Sequence, residues 1–267
     1  MIPRYINRTL CRLPCTAALF LAASLVVSCT TSQTTDEHHE DGHGHWSYAA
    51  STGPEHWGSL EHEYAVLDKG REQSPIDLKA GATGTGNPLT FDYGTTKLNL
   101  VNNGHTVQQN VDPGSYVTYQ GRKYRLLQFH FHSGSEHTIE GKRKSLEMHL
   151  VHQAANGEFL VVGILFQPGA ANSFLKQFWN RIPAHADETV TDAATAISLS
   201  DCVPAGSPVY AYDGSFTTPP GTEGVKWFVF SEPESLSILQ LAKFRQLYSN
   251  NFRPVQPLHG RLVTLYD

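Results

Sequence analysis

Cysteine is scarce in this sequence and badly placed for cross-linking: of four in 267 residues, three stand at positions 11, 15 and 29, and Cys202 is alone in the rest. A disulfide framework is thereby excluded. Basic residues are present but not clustered. The 20 Lys and Arg are scattered among 25 Asp and Glu for a formal charge of −5, so no basic stripe offers itself to nucleic acid. No apolar run reaches the ~20 residues of a membrane span. Collagen, coiled-coil and disordered compositions are equally absent. With 40% hydrophobic and 17% charged residues, the chain suits one large core and is too polar for a polytopic membrane protein. Histidine, by contrast, is plentiful at 14, so a metal site would use imidazole rather than thiolate.

The N-terminus carries Arg4, Arg8 and Arg12 with no acidic residue, then an apolar run from Leu13 to Val27 that ends in small residues, the pattern of an export signal. Leu25-Val26-Val27-Ser28-Cys29 resembles a bacterial lipobox. The resemblance implies a lipoprotein signal peptide over residues 1–28, a lipid anchor on Cys29, and a cell-envelope location, periplasmic or outer-membrane associated. Thr30 rather than Asp after Cys29 points to the outer membrane, and plain secretion with an incidental Cys stays open. Residues 29–45 read as a flexible tether, because from Thr30 to His45 there is no apolar residue to offset ordering entropy. Its His38, His39, His43 and His45 are either solvated spacers or a weak zinc trap.

The body, residues 46–267, shows no internal repeat and reads as a single domain. Strand patterns cover Lys97 to Val101, Tyr116 to Tyr119, Tyr124 to His132, Leu146 to His152 and Phe159 to Phe166, separated by short turns that favour antiparallel neighbours. Helical spacing is confined to Asn172 to Ile182 and Ile238 to Tyr248, the second opened by the capping box Ser237 and Gln240. The expected class is mainly β (α+β).

One strand carries chemistry. Between Leu127 and His132 the odd positions Leu127, Phe129 and Phe131 are apolar and the even positions Gln128, His130 and His132 polar. Two His at i and i+2 stand about 6.6 Å apart on one face and can converge on one ion. On the strand from Leu146 to His152, Glu147, His149 and Val151 share a face, whereas His152 points the other way, as a hydrogen-bonded core or surface His. His130, His132 and His149 would leave a zinc ion one open position, the layout of a catalytic site. Gln128 and Glu147, each two before a ligand, can accept the spare ring N–H and fix its tautomer. An H-x-H pair alone is a weak sign, shared with cupin-like sites and chance core pairs; the supporting Gln and Glu sharpen it.

These motifs, with Ser135-Glu136-His137-Thr138 and Ser215-Phe216-Thr217-Thr218-Pro219-Pro220, resemble an α-class carbonic anhydrase. Gly53-Pro54-Glu55-His56-Trp57, Gln73-Ser74-Pro75-Ile76-Asp77, Asn102-Asn103-Gly104-His105 and the run from Asn251 to Leu258 extend the resemblance over nearly the whole body. It implies a large twisted, mostly antiparallel central sheet with a few peripheral helices and zinc at the base of a conical cleft. The implied activity is that of a zinc lyase, reversible hydration of carbon dioxide to bicarbonate and a proton by attack of zinc-bound hydroxide.

Residue by residue, the resemblance makes His130, His132 and His149 the Zn2+ ligands, backed by Gln128, Glu147 and the Asn251 backbone. It makes Thr217 a gatekeeper donating to buried Glu136, and His105 the proton shuttle, although a solvent-facing turn histidine is the plain alternative. Thr218, Val151, Val161, Phe216, Val225 and Trp227 would contact carbon dioxide, and Tyr48, Asn103 and Gln108 would order water. Two departures stand out. The disulfide of many exported bacterial members is missing at both ends, near Leu67 and at Gly221, and Phe216 replaces the usual Leu. A family-derived carrier without activity, zinc buffering by the tether and esterase side activity are the rival readings. The partners expected are carbon dioxide or bicarbonate and, through Cys29, a membrane, with no nucleic acid; a homodimer stays open.

Overall fold

The computed structural model describes residues 45–267. The expected signal peptide, the lipidated Cys29 and nearly all of the tether fall at residues 1–44, outside the described residues. Among the described residues no helix is long and apolar enough to cross a membrane.

A 13-stranded sheet forms the body. It runs from an edge strand, Thr189–Ser198, through Thr95–Asn102, Val107–Asn110, Arg122–Ser133, Leu146–Ala154, Phe159–Pro168, Glu223–Phe230, Val209–Ser215 and Thr264–Tyr266 to Ala82–Gly84. Neighbours are antiparallel save where Phe159–Pro168 meets Glu223–Phe230 and Glu234–Leu236, and where Thr264–Tyr266 meets Ala82–Gly84. The mainly β class is therefore observed, as a mixed sheet with antiparallel pairing dominant.

Leu146–Ala154 lies at the centre and is covered on both sides. Leu146, Met148, Leu150 and Ala154 join the large core with Phe129, Phe131 and Phe174, whereas Val151 joins a second cluster with Val161, Val225 and Trp227. Alternation thus sends Glu147, His149 and Val151 to one face and Met148 and His152 to the other. His152 is buried where expected, its Nε2 2.6 Å from the Tyr93 hydroxyl and its Nδ1 3.1 Å from the Leu160 carbonyl. Burial drives its pKa down to about 3, so it is a neutral structural imidazole.

The strict alternation read from Leu127 needs correction. Val151 pairs with Gln128 but His152 with Leu126, so Leu127 is the extra residue of a β-bulge. Tyr124 and Leu126 bury on the side that Phe129 and Phe131 take beyond the bulge, and Leu127 is not part of that core. The bulge lets one strand keep its apolar side inward at both ends while His130 and His132 share the opposite face with Gln128.

The expected helix over 172–182 is also corrected. It is a turn of α-helix, Ser173–Lys176, followed by a 3-10 turn, Trp179–Arg181, because Phe178 leaves the helical region with φ −141°. The break lets Phe174, Leu175, Phe178 and Trp179 all reach the core. Of the expected helix over 238–248, Ile238–Arg245 is helical and the chain then turns, Leu247 N donating to the Phe244 carbonyl at 2.9 Å; both bonds of the capping box are formed, Gln240 N donating to Ser237 Oγ at 3.1 Å and Ser237 N to Gln240 Oε1 at 3.0 Å.

At the junction where the resemblance implies a disulfide, Leu67 packs directly against Gly221: a Cβ on Gly221 would lie 2.3 Å from Leu67 Cδ2, and the glycine's φ is +75°. Gln73 Nε2 donates to the Gly221 carbonyl at 3.0 Å, closing the same junction without sulfur. Cys202 is buried and free, with its thiol pushed up by burial. Melting curves of residues 30–267 with and without dithiothreitol are therefore expected to coincide; a reductant-dependent shift of several degrees would reveal an intermolecular bridge through Cys202.

Candidate metal centre

His130, His132 and His149 meet at the pairing of the two central strands, His149 lying directly opposite His130. One ring nitrogen from each lies within 4.8 Å of the other two. The remaining nitrogen of each ring is occupied. His130 Nδ1 lies 2.9 Å from Gln128 Oε1, His132 Nδ1 2.7 Å from the Asn251 carbonyl and His149 Nε2 2.9 Å from Glu147 Oε1. An acceptor on one nitrogen puts the proton there, so Nε2 of His130, Nε2 of His132 and Nδ1 of His149 carry free lone pairs.

Electrostatics reinforces that state. Burial disfavours the cations of His130 and His132 and holds both below the ordinary imidazole value. Burial alone would raise the Glu147 carboxyl, but His137 and His149 beside it hold it well below the usual range. The donor set passes one further test. His132 Nε2 is buried without any hydrogen-bond partner, a cost that a coordinated cation removes. Three neutral imidazoles with free lone pairs on one side fit a zinc ion with an open fourth position.

Glu136 is fully buried, with Oε1 accepting from Arg253 N at 2.7 Å. Its Oε2 faces His132 Nε2 at 3.6 Å and His149 Nδ1 at 3.9 Å and has no hydrogen-bond partner. The bond expected from Thr217 is therefore not formed, although Thr217 is buried and Thr218 half-buried. Val151, Val161, Val225 and Trp227 are buried together, and Phe216 packs on them edge-to-face with Phe159, ring centroids 4.9 Å apart. The Trp227 ring stands 4.8 Å from that of His149, which brings this apolar wall to the ligands.

His105 follows Gly104, whose φ of +81° suits glycine, and its ring lies flat on Trp46, centroids 3.7 Å apart at 8°. Asn103 Oδ1 accepts from the backbones of His105 at 3.0 Å and Thr106 at 2.9 Å, so its oxygen shapes the turn. Tyr48 packs on Trp46 and Trp57, and Gln108 pairs with His130 in register while its Nε2 donates to Asn110 Oδ1 at 2.6 Å.

His137 is a further member of the site that its sequence motif does not disclose. Its Nδ1 lies 2.7 Å from Glu147 Oε1 and its Nε2 2.6 Å from the Tyr212 hydroxyl, which in turn meets Ser74 Oγ at 2.8 Å. This chain continues the support of His149 inward. Its members come from four separate segments, and only the position of His137 beside Glu136 hinted at it.

The family model for eukaryotic-type carbonic anhydrase matches residues 52–267. A carbonic anhydrase of Nostoc sp. is 43% identical over 225 residues, 82% of this chain and 84% of that protein. One from Neisseria gonorrhoeae is 36% identical, with 91% of this chain and 95% of that protein covered. Among solved structures, the α-carbonic anhydrase of Thermovibrio ammonificans in complex with the inhibitor sulfanilamide aligns at TM-score 0.80 and 40% identity, spanning 84% of this chain and all of the other.

Proposed function

This chain belongs to the eukaryotic-type, or α-class, carbonic anhydrase family and is a carbonate dehydratase, and from that premise we propose that it works as a zinc enzyme through His130, His132 and His149. The observation that carries the reading is the ligand set itself, three free lone pairs facing one another and each fixed by an acceptor behind it. When bound, zinc acts as a Lewis acid that lowers the pKa of a coordinated water to about 7, a value for which carbonic anhydrase is the reference example.

The protein supplies the rest. Gln128, Glu147 and the Asn251 carbonyl hold the three rings in the ligating tautomer. Val151, Val161, Val225 and Trp227 exclude water beside the ligands and give carbon dioxide an apolar resting place. Glu136 and Thr217 orient the attacking oxygen once the Thr217 hydroxyl swings to donate to the free Oε2. His105 takes up the released proton. Stopped-flow carbon dioxide hydration, with and without a zinc chelator, tests this: activity that survives complete removal of zinc would defeat it.

We also propose export with a lipid anchor at Cys29 in the cell envelope, supported by the Arg-rich start, the apolar run and the lipobox-like ending. Cys29→Ala should then release the protein from the membrane fraction; unchanged membrane association would refute the anchor.

Phe216 narrows the cleft. The Phe159 ring braces it edge-to-face, so the phenyl group cannot fold back without losing that contact. Phe216→Leu is expected to raise turnover in concentrated buffer by a factor of about three to ten, since ~1.4 kcal/mol of barrier is tenfold in rate. It should also admit bulkier aromatic sulfonamides. Equal or lower turnover in the variant would mean that the ring is accommodated at no kinetic cost.

A further inference from the structure

Residues 251–253 reach one ligand, His132, together with Glu136 and the turn that carries His105. The Asn251 carbonyl receives His132 Nδ1–H at 2.7 Å, its Oδ1 accepts from Ser133 N at 2.8 Å, and its Nδ2 donates to the carbonyls of His105 and Phe131, both at 3.0 Å. Two residues on, Arg253 N donates to Glu136 Oε1 at 2.7 Å. Yet this segment belongs to no strand or helix. No backbone ladder holds it, so its position must come from side chains.

Asn251 is held by its own amide and Arg253 by guanidinium bonds to Gln73 Oε1 and the carbonyls of Ser74 and Leu67, all at 2.8 Å; Phe252 is the third anchor, between the two. The Arg143 guanidinium lies over its ring, 3.9 Å from the centroid, and Gly134 lies against its edge. A Cβ on Gly134 would sit 2.7 Å from Phe252 Cε1, and the glycine's φ is +65°. Arg143 also donates through Nη1 to the carbonyls of Ser135 and Glu136. One guanidinium therefore ties the loop that carries Glu136 to the segment that orients His132. The guanidinium lies on the ring while its Nη1 reaches both carbonyls; a Lys ammonium, a point charge without that plane, would serve the two contacts less well.

We propose that Arg143 and Gly134 clasp Phe252 and thereby position Asn251 against His132, which makes Arg143 a positioning residue for zinc retention. The inference rests on the zinc reading of the triad. Zinc content of the wild-type chain tests that reading; release rates of variants relative to wild type test the clasp.

The experiment loads the full-length protein with zinc and follows its release to dipicolinate, with the visible absorption of the cobalt-substituted form recorded in parallel. Loss of a group that orients a metal-bound His costs 10–100-fold in metal affinity, so Arg143→Met and Gly134→Ala, which disturb the clasp from its two components, should each speed release by about tenfold. Both should alter the cobalt bands. Arg143→Lys should fall between wild type and Arg143→Met. Arg122→Met, which removes a partly exposed ion pair with Glu158, should release zinc at the wild-type rate. If Arg143→Met does not fold, Arg143→Lys carries the same measurement. Release and cobalt spectra within twofold of wild type for both clasp variants would overturn the proposal. So would equal acceleration in Arg122→Met, since the effect would then be general loosening.

Discussion

His149→Ala is expected to lose zinc and carbon dioxide hydration together. Removal of an outer partner of a zinc-bound His already costs 10–100-fold in metal affinity, so removal of a ligand should exceed about a hundredfold. The damage extends past the missing nitrogen. Glu147 is fully buried, and its Oε1 accepts from both His149 and His137; with His149 gone it keeps one ring partner in a site that disfavours charge. A cavity beside the Trp227 ring adds to the loss. Metal analysis after dialysis and stopped-flow hydration should both fall to background. The assignment would be wrong if the variant retained both while changes at His38 and His39 removed the metal.

The reach of the sequence differs between the parts of this site for a physical reason. Where geometry is local, it was legible: period-two alternation placed His130 with His132, joined Glu147 to His149 and turned His152 away, because the pleat alone determines which face a strand residue takes. Gln128 and Glu147 were readable for the same reason, each standing two residues from its ring. Leu127 was misplaced because a bulge is decided by the partner strand, here at Val151 and His152, and leaves no mark in its own apolar pattern. The edge strand Thr189–Ser198 escaped notice because it is largely exposed and lacks apolar alternation. Asn251 entered only through family resemblance, since a backbone carbonyl carries no residue signature. The contacts of Arg143 with Phe252, and of His137 with Tyr212, join segments remote in sequence, and only the folded chain reveals them.

His105→Ala should lower turnover in dilute buffer by about a hundredfold, the lower end of what a positioned proton-transfer group contributes, with kcat/KM for carbon dioxide little changed. Added imidazole should restore the rate, because a diffusing base then replaces the missing ring. The pH profile offers a second, independent reading. Half-burial disfavours the His105 cation and the nearby His45 adds to this, with Asp187 opposing, so its pKa lies below the ordinary imidazole value of about 6.5. Only neutral His105 can accept a proton. A lowered pKa keeps the neutral form available to lower pH, so the acid limb of kcat in dilute buffer should fall below pH ~6.5 rather than at it. His45→Ala removes one of the two depressing influences and should move that limb upward, toward the ordinary value. The flat stack on Trp46 fixes a ring that stays partly exposed, so a proton it has accepted can be handed on to buffer. A rate indifferent both to His105→Ala and to buffer concentration would remove His105 from the reaction and leave it a turn residue against Trp46.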